Sequence, residues 1–133
     1  MRFACQSGCT KCCEQPGFVY LTEDDIIRAA EFLGMTSEAF ELAYVYRTRH
    51  QRRLRVGYHQ PCPFLRTGGC SIHPAKPTQC RIFPFWPEFV DDQRKWAETA
   101  QWCPGIGQGE LVQIDSVRQQ TQEMREAFPR MYR

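Results

Sequence analysis

The sequence has no apolar stretch of the roughly 20 residues that a membrane-spanning helix needs. Its best candidate, around Ala43 to Tyr46, is flanked by Glu41 and Arg47. Met1-Arg2-Phe3-Ala4 runs directly into Cys5 without an apolar leader core, so no secretory signal is expected. Charge of one sign is also lacking: 17 Lys and Arg against 15 Asp and Glu leave a formal +2, too little for a bulk polyelectrolyte. There are no internal repeats and no low-complexity tracts. Hydrolytic signatures are missing, with no Ser/His/Asp order, no paired acid motif and no His-Glu-x-x-His. The glycines at 105, 107 and 109 are misspaced for a dinucleotide fingerprint and no Gly-Lys-Ser/Thr follows, so close backbone approach to a neighbouring loop or a metal explains them better. Disorder is excluded by 42% hydrophobic and 13% aromatic residues.

What the chain does have is thiols. Eight cysteines in 133 residues make about 6%, below the roughly 8–10% of secreted disulfide scaffolds. A chain of this length buries roughly two-thirds of its surface on folding and does not require covalent staples. Without an export signal the expected compartment is the reducing cytoplasm, where clustered cysteines hold metal more often than disulfides. The order is Cys5-x3-Cys9-x2-Cys12-Cys13, then, 48 residues later, Cys62-x7-Cys70-x9-Cys80-x22-Cys103. Cys9 and Cys12 can converge on one ion, with intervening backbone N–H groups favouring the thiolates. Adjacent Cys12 and Cys13 point apart in most backbone conformations and are expected to serve different ions, or one to bind and the other to pack or bridge. One close pair with otherwise wide gaps favours an interleaved site drawn from the N-terminal loop and the later segment. Zinc, iron and a 4Fe-4S cluster all stay open.

The elements follow from caps and periodicity. Thr22 and Asp25 form a capping-box variant, Leu21 and Ile26 stand at staple positions, and Gly34 ends the helix between them in a left-handed conformation. A second helix starts at Thr36 or Ser37, carries Phe40, Ala43 and Tyr44 on one face, and runs into the arginines at 47, 49, 52 and 53. A short strand is expected over 54–58, and another over 94–100 followed by a loop over 103–109. Six prolines between Gln60 and Pro87 exclude long helices there, so that segment needs an external organiser. A last helix is expected over about 115–128, capped near Asp115 or Ser116, with Val117, Thr121, Met124 and Phe128 along one stripe. The whole reads as one compact domain over 1–133, mainly α with a small α+β content as the alternative, its irregular Cys/Pro-rich loops organised around a metal site.

Four motifs carry a family resemblance: the N-terminal Cys-x3-Cys-x2-Cys-Cys, Cys-Pro-Phe-Leu from Cys62, Cys-Ser-Ile-His-Pro from Cys70, and Lys-Pro-Thr-Gln-Cys-Arg-Ile-Phe-Pro-Phe from Lys76. In this order they resemble the YkgJ family, a bacterial cysteine-cluster family described as chelating zinc or iron. The resemblance spans about 3–109, and Cys-Pro-Gly-Ile-Gly at 103–107 looks like a family variant carrying the last cysteine. Many members have Arg-Pro where this chain has Lys76-Pro77, which keeps the charge but loses the bidentate fork. The resemblance implies a cytoplasmic metal-binding domain with Cys5, Cys9, Cys12, Cys13, Cys62, Cys70, Cys80 and Cys103 as candidate ligands. Similar domains occur in flagellin lysine methylases, which implies a link to protein modification or redox chemistry without naming a reaction.

The remaining residues have mostly bland readings. His73 is expected to serve a turn or hydrogen bond rather than a metal, and His50 and His59 to be structural or solvated. Arg81 could offset thiolate charge or form a surface salt bridge, with equal weight. Phe83, Phe85 and Trp86 are expected to cover the core or metal site, with a peptide-binding surface as the alternative. The arginines at 47, 49, 52, 53 and 55 could face phosphate, but the nearby acids and near-neutral chain disfavour nucleic acid. The leading expectation is therefore a metal-binding cysteine-cluster protein whose partner is a metal ion. Its rivals are an iron–sulfur redox or protein-modification enzyme, and a metal-stabilised adaptor for protein or nucleic acid.

Overall fold

The chain opens with a two-residue strand, β1 (Arg2–Phe3), and one helical turn, α1 (Lys11–Glu14), that carries Cys12 and Cys13. A computed structural model describes residues 1–6, 9–14, 18–56, 62–66 and 69–132. Helix α2 (Glu23–Leu33) begins as its sequence dictates: the Asp25 amide donates to the Thr22 hydroxyl at 3.1 Å, and the Thr22 amide donates to the Asp25 carboxylate at 3.0 Å. It ends at Gly34, with φ 70°. Leu21 and Ile26 meet in the same core.

Helix α3 (Ser37–Tyr44) starts at Thr36 and buries Phe40, while Ala43 is exposed rather than inward as expected. The expected run into the arginines is replaced by a hairpin. Val45 adopts extended backbone, and β2 (Val45–Arg47) pairs antiparallel with β3 (Arg52–Leu54). The β-branched and aromatic pair Val45-Tyr46 suits a strand, and the Thr48 hydroxyl accepts the Gln51 amide at 3.1 Å to close the turn. The strand expected over 54–58 therefore ends at Leu54, and its positions 57 and 58, like His59, lie outside the described residues.

As the prolines require, the next segment is made of short pieces: β4 (Leu65–Arg66) and β5 (Gly69–Cys70), a 3-10 turn at His73–Ala75, α4 (Thr78–Ile82) and α5 (Pro87–Val90). The strand expected over 94–100 is instead helix α6 (Gln93–Ala100). Asp92 accepts the amides of Arg94 and Lys95 at its start, Arg94 reaches Glu98 one turn on, and most of its residues are good helix formers. The loop expected over 103–109 becomes β6 (Ile106–Leu111), which pairs with β1 across an irregular register. Helix α7 (Ile114–Ala127) starts slightly earlier than expected, with Gln113 at the cap position and no side-chain cap, and buries Val117, Thr121 and Met124.

The described residues are 48% helix and 16% strand, so mixed α+β replaces the mainly α expectation. Three two-stranded ribbons supply the strands, two between strands close in sequence and one joining β1 to the distant β6, without merging into a sheet. One core joins α2 and α3 to Leu54, Phe64 and Ile72; the other joins Ile82 and Phe85 to Val117, Met124 and Phe128. Phe83 and Phe85 are buried, and Trp86 donates its Nε1–H to the Gln79 carbonyl at 2.8 Å, which matches core packing.

Two contacts hold the thiol-bearing pieces in place. The buried Asp25 carboxylate accepts the Thr78 amide at 2.9 Å, the Thr78 hydroxyl at 2.7 Å and the Arg28 guanidinium at 2.6 Å besides its capping bond, tying α2 to α4. The chain start is tied to 105–112: the Ala4 amide donates to the Gly105 carbonyl at 3.0 Å and Val112 to the Met1 carbonyl at 2.7 Å. A Cβ on Gly105 would sit 2.5 Å from the Ala4 oxygen and 2.8 Å from the Phe3 ring, so the close approach expected of the glycine loop is present.

Asp25→Ala strands buried donors on α4 and is expected to lower stability by about 3 kcal/mol, read from the urea midpoint. An unchanged midpoint would show that water replaces the carboxylate. Gly105→Ala is expected to lower the melting temperature through a loss of about 1–3 kcal/mol from overpacking. Amide exchange should then rise at Ala4 and Val112; wild-type protection there would contradict the assignment.

Candidate metal centre

All eight cysteines are free thiols. Cys12 and Cys13 ride on α1, Cys70 ends β5 and Cys80 lies on α4, while Cys62 and Cys103 open turns ahead of β4 and β6. Four of them share one electrostatic neighbourhood: Cys80 is influenced by Cys12, Cys62 and Cys70, and Cys62 by Cys70 and Cys12. Cys13 is influenced by Cys12, Cys62 and Cys80 and hydrogen-bonds Cys12, so these two neighbours turn toward each other rather than apart as expected, whereas Cys103 is influenced by Cys9 and Cys12. N-terminal thiols thus stand within electrostatic reach of those of the later loops. Cys5 stands apart, exposed, with its sulfur 3.9 Å from the Gln6 carbonyl. Among the described residues, no three or more Cys, His, Asp or Glu side chains close into a group spaced for a metal ion.

Cys12 is the acidic thiol, brought down to about 6 chiefly by the hydrogen bond from Cys13, against the opposing effect of burial and with help from Lys76. Cys13 is pushed far up in return, because it holds the proton that Cys12 accepts. Burial raises Cys80 first, and the neighbouring thiols Cys12, Cys62 and Cys70 raise it further. Cys62 and Cys103 are likewise raised by burial.

Those last two share a device. In Cys62-Pro63-Phe64-Leu65 and Cys103-Pro104-Gly105-Ile106 the fourth residue donates its amide to the cysteine carbonyl, at 3.0 Å and 3.4 Å, closing a turn with proline at its second position. In each, the amides of the third and fourth residues also hydrogen-bond the sulfur and favour its thiolate. The sequence reading missed that these are the same turn used twice; the repeated Cys-Pro-x-Leu/Ile was the available signal.

Positioning residues were also missed. Gln79, next to Cys80, accepts the Tyr20 amide at 3.1 Å through Oε1 and donates to the Phe18 carbonyl at 3.0 Å through Nε2. Asp25 holds Thr78 on the other side. Arg81 pairs with Glu123 on α7, so the surface salt bridge is the observed one of its two readings. Lys76, a partner of His73 Nε2 at 3.3 Å, is the cation that lowers Cys12 and Cys80.

The donor chemistry fits a thiophilic metal. Sulfurs from separate loops, amides directed at two of them and a nearby lysine suit zinc or iron far better than a hard oxygen-seeking cation. No solved structure matches the chain. The model of the CxxCxxCC family, described as "Putative zinc- or iron-chelating domain", matches residues 4–104. In this chain the first interval, Cys5 to Cys9, has one residue more than the family's name spells. The match takes in every cysteine and most of the chain, and the protein therefore belongs to this zinc- or iron-chelating family, the one its motifs resemble.

Proposed function

We propose that the protein chelates zinc or iron through two interleaved sets of thiolates, with Cys12, Cys62, Cys70 and Cys80 as the first set. The influence of Cys12 and Cys70 on Cys62, and of all three on Cys80, with the four drawn from α1, the Cys62 turn, β5 and α4, supports the reading. Cys5, Cys9 and Cys103 form the second set, and Cys13, hydrogen-bonded to Cys12, bridges the two. When bound, zinc would supply a structural cross-link, and iron, alone or as an iron–sulfur cluster, an electron-transfer centre. The chain's own residues do the rest: Asp25 and Gln79 orient α4, the two Cys-Pro turns aim amides at sulfur, and Lys76 offsets thiolate charge. Eight free thiols fit a reducing cytoplasm.

Anaerobic purification with elemental analysis and a visible spectrum tests this. Stoichiometric colourless zinc, or a brown protein bleached by dithionite, would each identify the metal; a metal-free protein equally stable to chelator would overturn the proposal. Cys62→Ser and Cys80→Ser, singly or together, are expected to remove the same share of bound metal, and adding Cys9→Ser to either is expected to remove the rest. Loss of all metal in every variant would replace two sets by one.

Metal affinity should rise with pH. Cys62, Cys80 and Cys103 lie above the ordinary thiol value and are protonated at pH 7, so binding must expel their protons. Cys12, at about 6, is largely ionised there already and releases little above pH 7. Competition titrations between pH 6 and 8 are expected to show tighter binding at each step upward; a flat profile would contradict the assignment.

A further inference from the structure

A second candidate site lies away from the thiols. Between the β2–β3 hairpin and the chain leaving α7 there is a cleft of about 340 Å³ with no cysteine in its lining. Arg47 and Arg52 face each other directly across the hairpin, a like-charge pairing that disfavours a ribbon. Each is balanced from another element, Arg47 by Glu41 and Arg52 by Glu23. The turn between them adds Arg49 and His50, and the chain after α7 adds Arg130. Among the described residues, the side chains of Arg49, His50 and Arg130 have no ion pair or hydrogen bond. The only carboxylate in the lining is Glu23, already engaged by Arg52. Leu21 and Phe128 give the cleft an apolar side, which strengthens charge interactions at its edge.

We propose that this cleft binds a small phosphate-bearing anion, held by Arg49 from the hairpin turn and Arg130 from the chain after α7. Guanidinium forks match phosphate oxygens bidentately, and two unpaired forks across one cleft leave an excess of donors that a phosphate satisfies. The size points to a small molecule, since the volume lies at the low end of the roughly 300–1,000 Å³ usual for ligand sites. A nucleic-acid strand would need a longer basic groove and stacking faces along it. Because no thiol is involved, the site stands or falls independently of the metal centre.

The test is a calorimetric titration of the metal-loaded protein with inorganic pyrophosphate at low salt, with sodium chloride at matched ionic strength as control. Saturable one-to-one binding is expected, with amide shifts confined to residues 47–52 and 127–131. The double variant R49Q/R130Q should bind about tenfold more weakly or worse, while R118Q, at an exposed arginine outside the cleft, should bind as the wild type does. Metal content is read before and after, because pyrophosphate can also strip metal from thiolates. Heat that follows metal loss, or binding equal in wild type and R49Q/R130Q, would overturn the proposal. So would binding of a single-stranded oligonucleotide without binding of pyrophosphate.

Discussion

Inside the protein, the carboxylate of Asp25 accepts four hydrogen bonds, from its own helix cap, from Arg28 and from both the amide and the hydroxyl of Thr78. Placing a carboxylate out of water costs several kcal/mol, and only a full complement of donors offsets it. That requirement dictates where α4 can lie. Once Thr78 is docked on Asp25, Gln79 reaches residues 18–20, and Cys80 comes within range of Cys12, Cys62 and Cys70. A helix cap thus also serves as the joint between the first core and the thiols.

The thiols meet by a different route from the apolar side chains. No single helix face or strand carries them: three short elements and two turns deliver six sulfurs, and Cys5 and Cys9 come from irregular chain. Such pieces have few bonds of their own, which is why α2, β6 and the chain start must brace them. The electrostatics follow from that crowding. Burial and neighbouring sulfurs push Cys62, Cys80 and Cys103 toward the protonated form, whereas the hydrogen bond from Cys13 leaves Cys12 ionised. A metal ion is the natural counter-charge, with Lys76 a partial substitute. The basic cleft lies elsewhere, so charge of either sign is handled in separate parts of a nearly neutral chain.

Helix α2 was legible in detail because its signals are local: a capping box, a staple and a terminal glycine act within a few residues. The break-up of the proline-rich segment was legible for the same reason. Helix α6 was misread because Arg94 to Ala100 gives no clear periodicity, and the deciding cap at Asp92 is a single residue outside that window. Strand β6 was missed because its partner is Arg2–Phe3, and no local pattern reports a pairing across a hundred positions. The arginine run was read as a helix end, although Val45 and Tyr46 already favoured a hairpin.

By itself, the sequence determined that thiols dominate this protein's chemistry, that they divide into a dense loop and dispersed partners, and which family it joins. Those properties lie in residue identity and spacing, which folding does not alter. Only the tertiary structure decided which sulfurs become neighbours, that Lys76 and not Arg81 faces them, and that the arginines line a cleft. Each depends on contacts between residues far apart in sequence, where a buried carboxylate, a glycine without room for a side chain and a two-residue strand choose among arrangements that local preference leaves equal.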